Sequence, residues 1–480
     1  MKQRGFGEVF MEKQSLQENK MGVMPVGKLV VTMSLPVVIS MLVQALYNVV
    51  DSMFVSMISQ EALNAVSLAF PAQNLMIGFA TGSAVGVNAL VSRALGARDP
   101  ERANKVAMNG LFIALCCYVL FLLFAIFGAR PFFAMQTTNA TIIEYGCDYL
   151  LVVCGLSFGV FGAIMMERLL TSTGRTVYTM ISQGVGAIIN IVFDPIFIFV
   201  FHMGVTGAAL ATVLGQMVSC GISLVLNIKK NHELKFSLRG FRPEGRVLGG
   251  ICAIGVPSII MVAVGSVMTY LYNIILFNFT MAATYAQNVF GIYFKLNSLI
   301  FMPIFGMNNA VVPIIAYNYG AQKRKRMLSA IKVSIVLAVA LMAVGTLLFM
   351  AIPGSLLKIF MQNTTAEEVE ILLAIGKPAL RIMAIPFMSA AVCICLSSCF
   401  QALGKGTYAL ILSACRQLVV LLPAAYVLAR IGQRVGNDIL IWFSFPIAEI
   451  AALLISLLLF ARIYKKIISR VPENGLEQSA

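Results

Sequence analysis

The chain has 480 residues, 59% of them hydrophobic and only 11% charged, with a mean hydropathy of +0.89. So few charges cannot cover that much apolar surface in water, which excludes a soluble globular domain. The formal net charge of +15 does not point to nucleic acid, because the basic residues gather in short segments between long apolar runs.

Those runs predict an all-α membrane protein with twelve transmembrane helices, at 28–55, 62–92, 104–128, 140–172, 176–201, 205–228, 248–278, 284–316, 327–352, 368–402, 406–429 and 438–463. The first 27 residues are polar and charged and read as a cytosolic segment rather than a cleavable leader. Five Lys or Arg residues fall on the loops of one side (Arg130, Lys358, Lys377, Arg430 and Arg434), and Arg168, Lys295, Arg381 and Arg416 fall within spans. Every other basic residue lies on the opposite side, including Lys229, Lys230, Arg239 and "KRKR" at 323–326. By the positive-inside rule that side is cytosolic, so both termini are expected in the cytosol of a multi-pass plasma-membrane protein. The basic charge sets topology and faces lipid headgroups.

The first span contains "QALYNVVDSMF", in which Gln44, Asn48 and Asp51 recur at i, i+4 and i+7 on one helical face. The fourth contains Glu167 in "MMERLL", with Arg168 about 100° away around the helix. The fifth contains "NIVFDPIFIF", which places Asn190 and Asp194 at i, i+4 ahead of Pro195. Pro195 cannot donate to the Ile191 carbonyl, so the helix loosens there. A carboxylate at mid-membrane costs about 2.5 kcal/mol or more, and such groups normally face a cavity or a partner. Desolvation favours the neutral form of any carboxyl group, so these acids could carry a proton near neutral pH. For Asn and Gln taken singly, hydrogen bonding between helices is an equal alternative, and for Glu167 a satisfied interfacial carboxylate is another.

A polar loop at 229–247 divides the chain into segments 28–228 and 248–463, followed by a tail at 464–480. The halves echo each other. Pro36 in "SLPVVIS" stands against Pro257 in "GVPSIIM", Gly96-Ala97 against Gly320-Ala321, and Gly174 against Gly404. Six spans per unit preserve orientation, so the expected architecture is two six-helix lobes related by a pseudo-two-fold axis along the membrane normal, with a substrate site between them. Tyr272 replaces Asp51 in the second half, and Ala424 replaces Asp194. The charges of that half are Lys295, Arg416 and Glu449, of which Arg416 and Glu449 are expected to pair and Lys295 to lack a nearby acid. Gly82 and Gly86 allow close helix contact. The 27 Met and 32 Phe residues suit an adaptable lipophilic cavity, although most must face lipid or other helices. Ten cysteines lie in or beside spans. "CICLSSC" at 393–399 is apolar with no His nearby, so buried thiols are expected and no metal site.

The full set of motifs, "LP…Q…N..D", "R.LGARD…RA", a Gly before the fifth span and "N…DP" within it, resembles the multidrug and toxic compound extrusion (MATE) transporters over about 25–465. The likeness is strongest to the bacterial branch with carboxylates in its N-terminal lobe. The resemblance implies a V-shaped carrier, not an enzyme, that needs no cofactor and exports lipophilic cationic drugs in exchange for protons or sodium. It implies a cation-responsive site at Asp51, Asn190 and Asp194, with Glu167 as an additional carboxylate, and a bend of the first helix at Pro36. Gln44, Asn48 and Tyr272 complete the expected substrate-binding set, and a monomer is expected. A proton is favoured as the coupling ion, since two acids sharing a site cannot readily both ionise. Sodium stays open, because the same residues offer hard oxygen ligands. A flippase for lipid-linked substrates is the alternative within transport, and a pore or an assembly factor the alternative outside it. Three acids against one unpaired Lys295 favour a cationic substrate.

Overall fold

The structure, a computed structural model, describes residues 19–236, 241–280, 283–361 and 365–473; Arg239 and the outer parts of the expected terminal segments lie outside these. Among the described residues, ten helices are long and apolar enough to cross a membrane: α1 (Val26–Ser56), α2 (Gln60–Gly96), α3 (Pro100–Ala134), α5 (Thr176–Val200), α6 (Gly204–Lys230), α7 (Gly245–Phe279), α8 (Ala283–Gly320), α9 (Arg324–Ala351), α11 (Gly406–Val435) and α12 (Asp438–Arg470). Two more spans are broken: α4 (Ala140–Gly155 with Phe158–Ser172) bends by 41°, and α10 (Ala366–Ala384 with Phe387–Ala402) by 47°. Each expected run therefore has its helix. Local chemistry sets several starts: Ser59 accepts from Ala62 N, Asp99 from Arg102 N, and Thr365 forms a capping box with Glu368.

The duplication is visible in the backbone. The broken spans occupy equivalent places in the two halves. The turn glycines Gly174 and Gly404 have φ of 83° and 77°, and Arg98 and Gln322, each just beyond a Gly-Ala pair, share a φ of 57°. α1 runs unbroken through the buried Pro36. At the other marked proline the helix changes character, and a π-helical stretch, Ile196–Val200, begins directly after Pro195.

Each lobe has its own apolar core, but the lobes are not cut cleanly at 228/248. The first half of α1 (Leu29, Val30, Met33 and Val37) belongs to the core of the second lobe, whereas Val55 near its far end belongs to the first. α7 mirrors this, with Ile251 in the first core and Ile254 onward in the second. Each lobe's leading helix thus crosses to the other. A small-residue interface makes this possible: Gly82 lies against Ile259 and the Gly255 carbonyl, Gly86 against the Ile251 carbonyl, and Gly306 against Val38.

Both described chain ends meet at one end of the molecule, where Arg324 and Lys325 bind Glu473. The lobes are tied together there by the stretch before α1. Asn19 Nδ2 donates to the Thr173 carbonyl and to both Glu233 carboxylate oxygens, while Asn318 Nδ2 donates to Met21 O and Arg326 Nη2 to Met24 O. Burial pushes the Glu233 carboxyl above its ordinary value, opposed by the Asn19 bond and the Arg175 charge.

Candidate functional site

Among the described residues two candidate sites stand out, and they share no lining residue. The first lies inside the first lobe, between α1, α4, α5 and α6. Asp194 is fully buried and Asn190 nearly so. Asn190 Nδ2 donates to Thr212 Oγ1 at 3.2 Å and lies 3.5 Å from Asp194 Oδ1. The carboxyl groups of Asp51 and Asp194 face each other as close neighbours. Two carboxyl groups make a favourable contact only with a proton between them, since neither donates when both are ionised. Beyond the contact between the two carboxyl groups, no described N–H or O–H donates to Asp51 Oδ1 or Asp194 Oδ2, and Asn190 Oδ1 is likewise buried without a donor.

Beside this group is a cavity of about 90 Å³, lined by Gln44, Tyr47, Glu167, Gln183, Asn190 and Thr212 among others. Tyr47 is close enough to feel the charges of Asp51, Glu167 and Asp194. The Glu167 carboxylate is fully served: Gln183 Nε2 donates at 2.7 Å, Ser219 Oγ at 3.0 Å and Ser182 Oγ at 3.1 Å. Glu167 therefore faces the same interior as Asn190, held by three donors of which only Gln183 and Ser219 share its cavity wall.

Asn48 and Tyr272 do not join them. Asn48 is exposed and lines neither site. The polar face of α1 is Ser40, Gln44, Tyr47 and Asp51, and Asn48, about 60° off Asp51, falls at its edge. Tyr272 is fully buried in the second lobe, its ring stacked on Phe290 at 4.6 Å and its hydroxyl against Ser444 Oγ and Ile441 O. It occupies the frame position of Asp51 but has turned into an aromatic core. Sequence reasoning missed Tyr47, although it stands four residues before Asp51 on the same face, and missed Thr212 and Gln183, which no motif marks.

The second site is the space between the lobes. A chamber of about 930 Å³ has aromatic walls, including Phe294, Phe301, Phe387 and Phe445, and carries Lys295, Arg416 and Glu449. A side compartment of about 450 Å³ shares Val262, Phe305, Arg416 and Gln417 with it. Asp51, Glu167 and Asp194 line neither. Lys295 Nζ sits 5.6 Å over the Phe360 ring. Arg416, in the π-helical stretch Cys415–Leu421 of α11, binds Glu449 of α12 through Nη1 and Oε1 at 3.2 Å, while Glu449 Oε2 is buried without a partner.

The Arg416–Glu449 contact supplies a measurable coupling. Replacing either residue alone leaves a half-buried charge without its partner and should cost about 1–3 kcal/mol, and replacing both should cost less than the sum of the singles. Thermal unfolding in detergent of Arg416→Gln, Glu449→Gln and the double variant gives the cycle. Strict additivity would show that the contact carries no coupling.

A family model described as MatE matches the chain twice, at 36–196 and 257–427, which covers more than half of it. The chain belongs to the MatE family. The two matches begin at Pro36 and Pro257, the residues that mark the repeat. The multidrug export protein MepA of Staphylococcus haemolyticus is 27% identical over 421 residues, covering 87% of this chain and 89% of that protein. Among solved structures, a MATE transporter in complex with MaL6 superposes with a TM-score of 0.87 at 25% identity, covering 94% of this chain and 99% of that one. An outward-facing multidrug resistance MATE transporter gives 0.87 at 25% identity, with coverage of 95% and 99%. This MatE chain is thus a multi-pass membrane transporter of two six-helix lobes, not an enzyme.

Proposed function

We propose that the protein exports lipophilic cationic compounds across the plasma membrane by antiport, with the proton as coupling ion and both termini in the cytosol. The observation that carries this reading is the contact of two carboxyl groups, Asp51 with Asp194, in a closed lobe apart from a drug-sized chamber. The chamber offers a lipophilic cation aromatic faces and the free Glu449 oxygen. It lies within one chain, which supports a monomer as the working unit. The basic loops around the joined lobe ends support their placement in the cytosol. The cavity beside the acids, about 90 Å³, is too small for a drug, so ion and drug do not compete for one spot. α1 links them instead. Tyr47 and Asp51 stand at the ion site, Met41 lines the side compartment, and the other half of α1 is rooted in the second lobe. Proton binding that shifts α1 changes both lobes at once.

Drug affinity measured in detergent should weaken as pH falls and the Asp51/Asp194 pair takes up its proton; the titration belongs to the pair, not to either acid. The same measurement at fixed pH, with sodium replacing choline, should show no change. Affinity that is independent of pH but falls with sodium would reassign the ion and leave the site in place.

A further inference from the structure

The side compartment has the wrong electrostatics for a cation. Arg168 and Arg416 both line it, and no Asp or Glu does. Arg416 is partly neutralised by Glu449 on the larger chamber's side. Arg168 feels the charge of Glu167, its neighbour in sequence, but makes no hydrogen bond to it: the Glu167 oxygens point into the first lobe, where Ser182, Gln183 and Ser219 hold them. No described acid forms an ion pair with Arg168. One helix thus presents opposite charges to two different cavities. Asn308 lines the same compartment, only 5% exposed, and both its Nδ2 and its Oδ1 lack a partner. Buried polar atoms left bare in this way are rare and mark a missing partner. The volume, about 450 Å³, falls in the range of small-molecule sites.

We infer that this compartment is the subsite for an anionic group, a carboxylate, sulfonate or phosphate, carried by a lipophilic compound whose body lies in the larger chamber. Arg168 supplies the charge-assisted hydrogen bonds and Asn308 a neutral donor. Glu449 Oε2, on the larger chamber's side of Arg416, suits a basic group, so the best ligand is a zwitterionic amphiphile. The inference rests on the reading of the chamber between the lobes as the drug site.

The test uses two probes that differ in one group, a rhodamine carboxylate zwitterion and its methyl ester, with binding to the purified full chain followed by fluorescence polarisation. Loss of one charged hydrogen-bond partner should weaken the acid about tenfold or more in Arg168→Gln. The ester should bind wild type and Arg168→Gln alike, and Arg168→Lys should restore much of the acid's affinity. Asn308→Leu should weaken the acid more than the ester. Adding phosphatidylglycerol or phosphatidylcholine distinguishes the anion's source. Competition by the former alone, lost in Arg168→Gln, identifies a lipid headgroup in the subsite; no competition identifies the soluble amphiphile. Equal loss of acid and ester, or no loss of either, overturns the subsite and leaves the chamber intact. Failure of both dyes to bind wild type overturns the chamber reading and the subsite with it.

Discussion

Asp194→Asn is expected to remain folded and membrane-inserted, and to lose gradient-driven export down to the background of vesicles without the protein. The substitution keeps the size and planar shape of the side chain and its place beside Asn190 and Thr212. What it removes is the titratable charge. An amide at 194 can still donate to Asp51, so the contact between α1 and α5 is preserved in the form it takes when a proton bridges the pair. The variant therefore holds the protonated geometry at every pH. Drug binding should become insensitive to pH, and ethidium efflux from everted vesicles should no longer respond to an imposed proton gradient. Asp51→Asn should behave in the same way, because the proton belongs to the pair. A carboxylate that served only as helix glue would give a different result: stability would fall while residual transport kept its gradient dependence. Normal gradient-driven efflux in Asp194→Asn would remove the site from the mechanism.

The residues of this pair were legible because helical spacing is rigid. With Asn190 and Asp194 four apart, and Gln44 and Asp51 seven apart, each set must share a face wherever the helix goes. The Arg416–Glu449 pair was legible because two opposite charges in adjacent apolar helices have few other ways to be stabilised. Spacing does not reveal which neighbour a face meets. Glu167 and Arg168 are adjacent in sequence, yet one closes the interior of the first lobe and the other lines the space between lobes. Counting charges over the chain puts the acids in the substrate site, whereas Asp51, Glu167 and Asp194 line neither the chamber nor its side compartment. The repeat likewise preserved the backbone frame at Tyr272 but not the side chain's destination. The crossing of α1 and α7 into the opposite lobes leaves no periodic mark at all, since both are apolar on nearly every face.

Gly320→Ala is expected to be the most disruptive single-methyl change in the chain, together with its repeat partner Gly96→Ala. A Cβ at Gly320 would overlap the Arg93 carbonyl oxygen and come within 3.1 Å of Ala97 N, and one at Gly96 would overlap the Tyr317 carbonyl oxygen and lie 3.0 Å from Ala321 N. The obstacles are backbone atoms, so no rotamer change relieves them and the lobes themselves must separate. The two glycines pack the ends of α2 and α8 against each other across the pseudo-two-fold, which explains why the Gly-Ala motif recurs in both halves. Overpacking of this kind costs about 1–3 kcal/mol, and the cost falls only on the state in which these ends are joined. Gly320→Ala should lower the thermal unfolding temperature. It should also lengthen the distance between spin labels placed, in a cysteine-free background, on the exposed Arg102 of α3 and Arg462 of α12. Gly27→Ala is the matched control, because a methyl there meets nothing within 4 Å and helix propensity improves. If closure at this end is one half of the transport cycle, Gly320→Ala should also slow export while leaving the proton response of drug binding unchanged, since the Asp51/Asp194 pair lies in the other half of the membrane. Wild-type distances and stability in Gly320→Ala would mean that the two helix ends yield locally and that the glycines are not what holds the lobes shut.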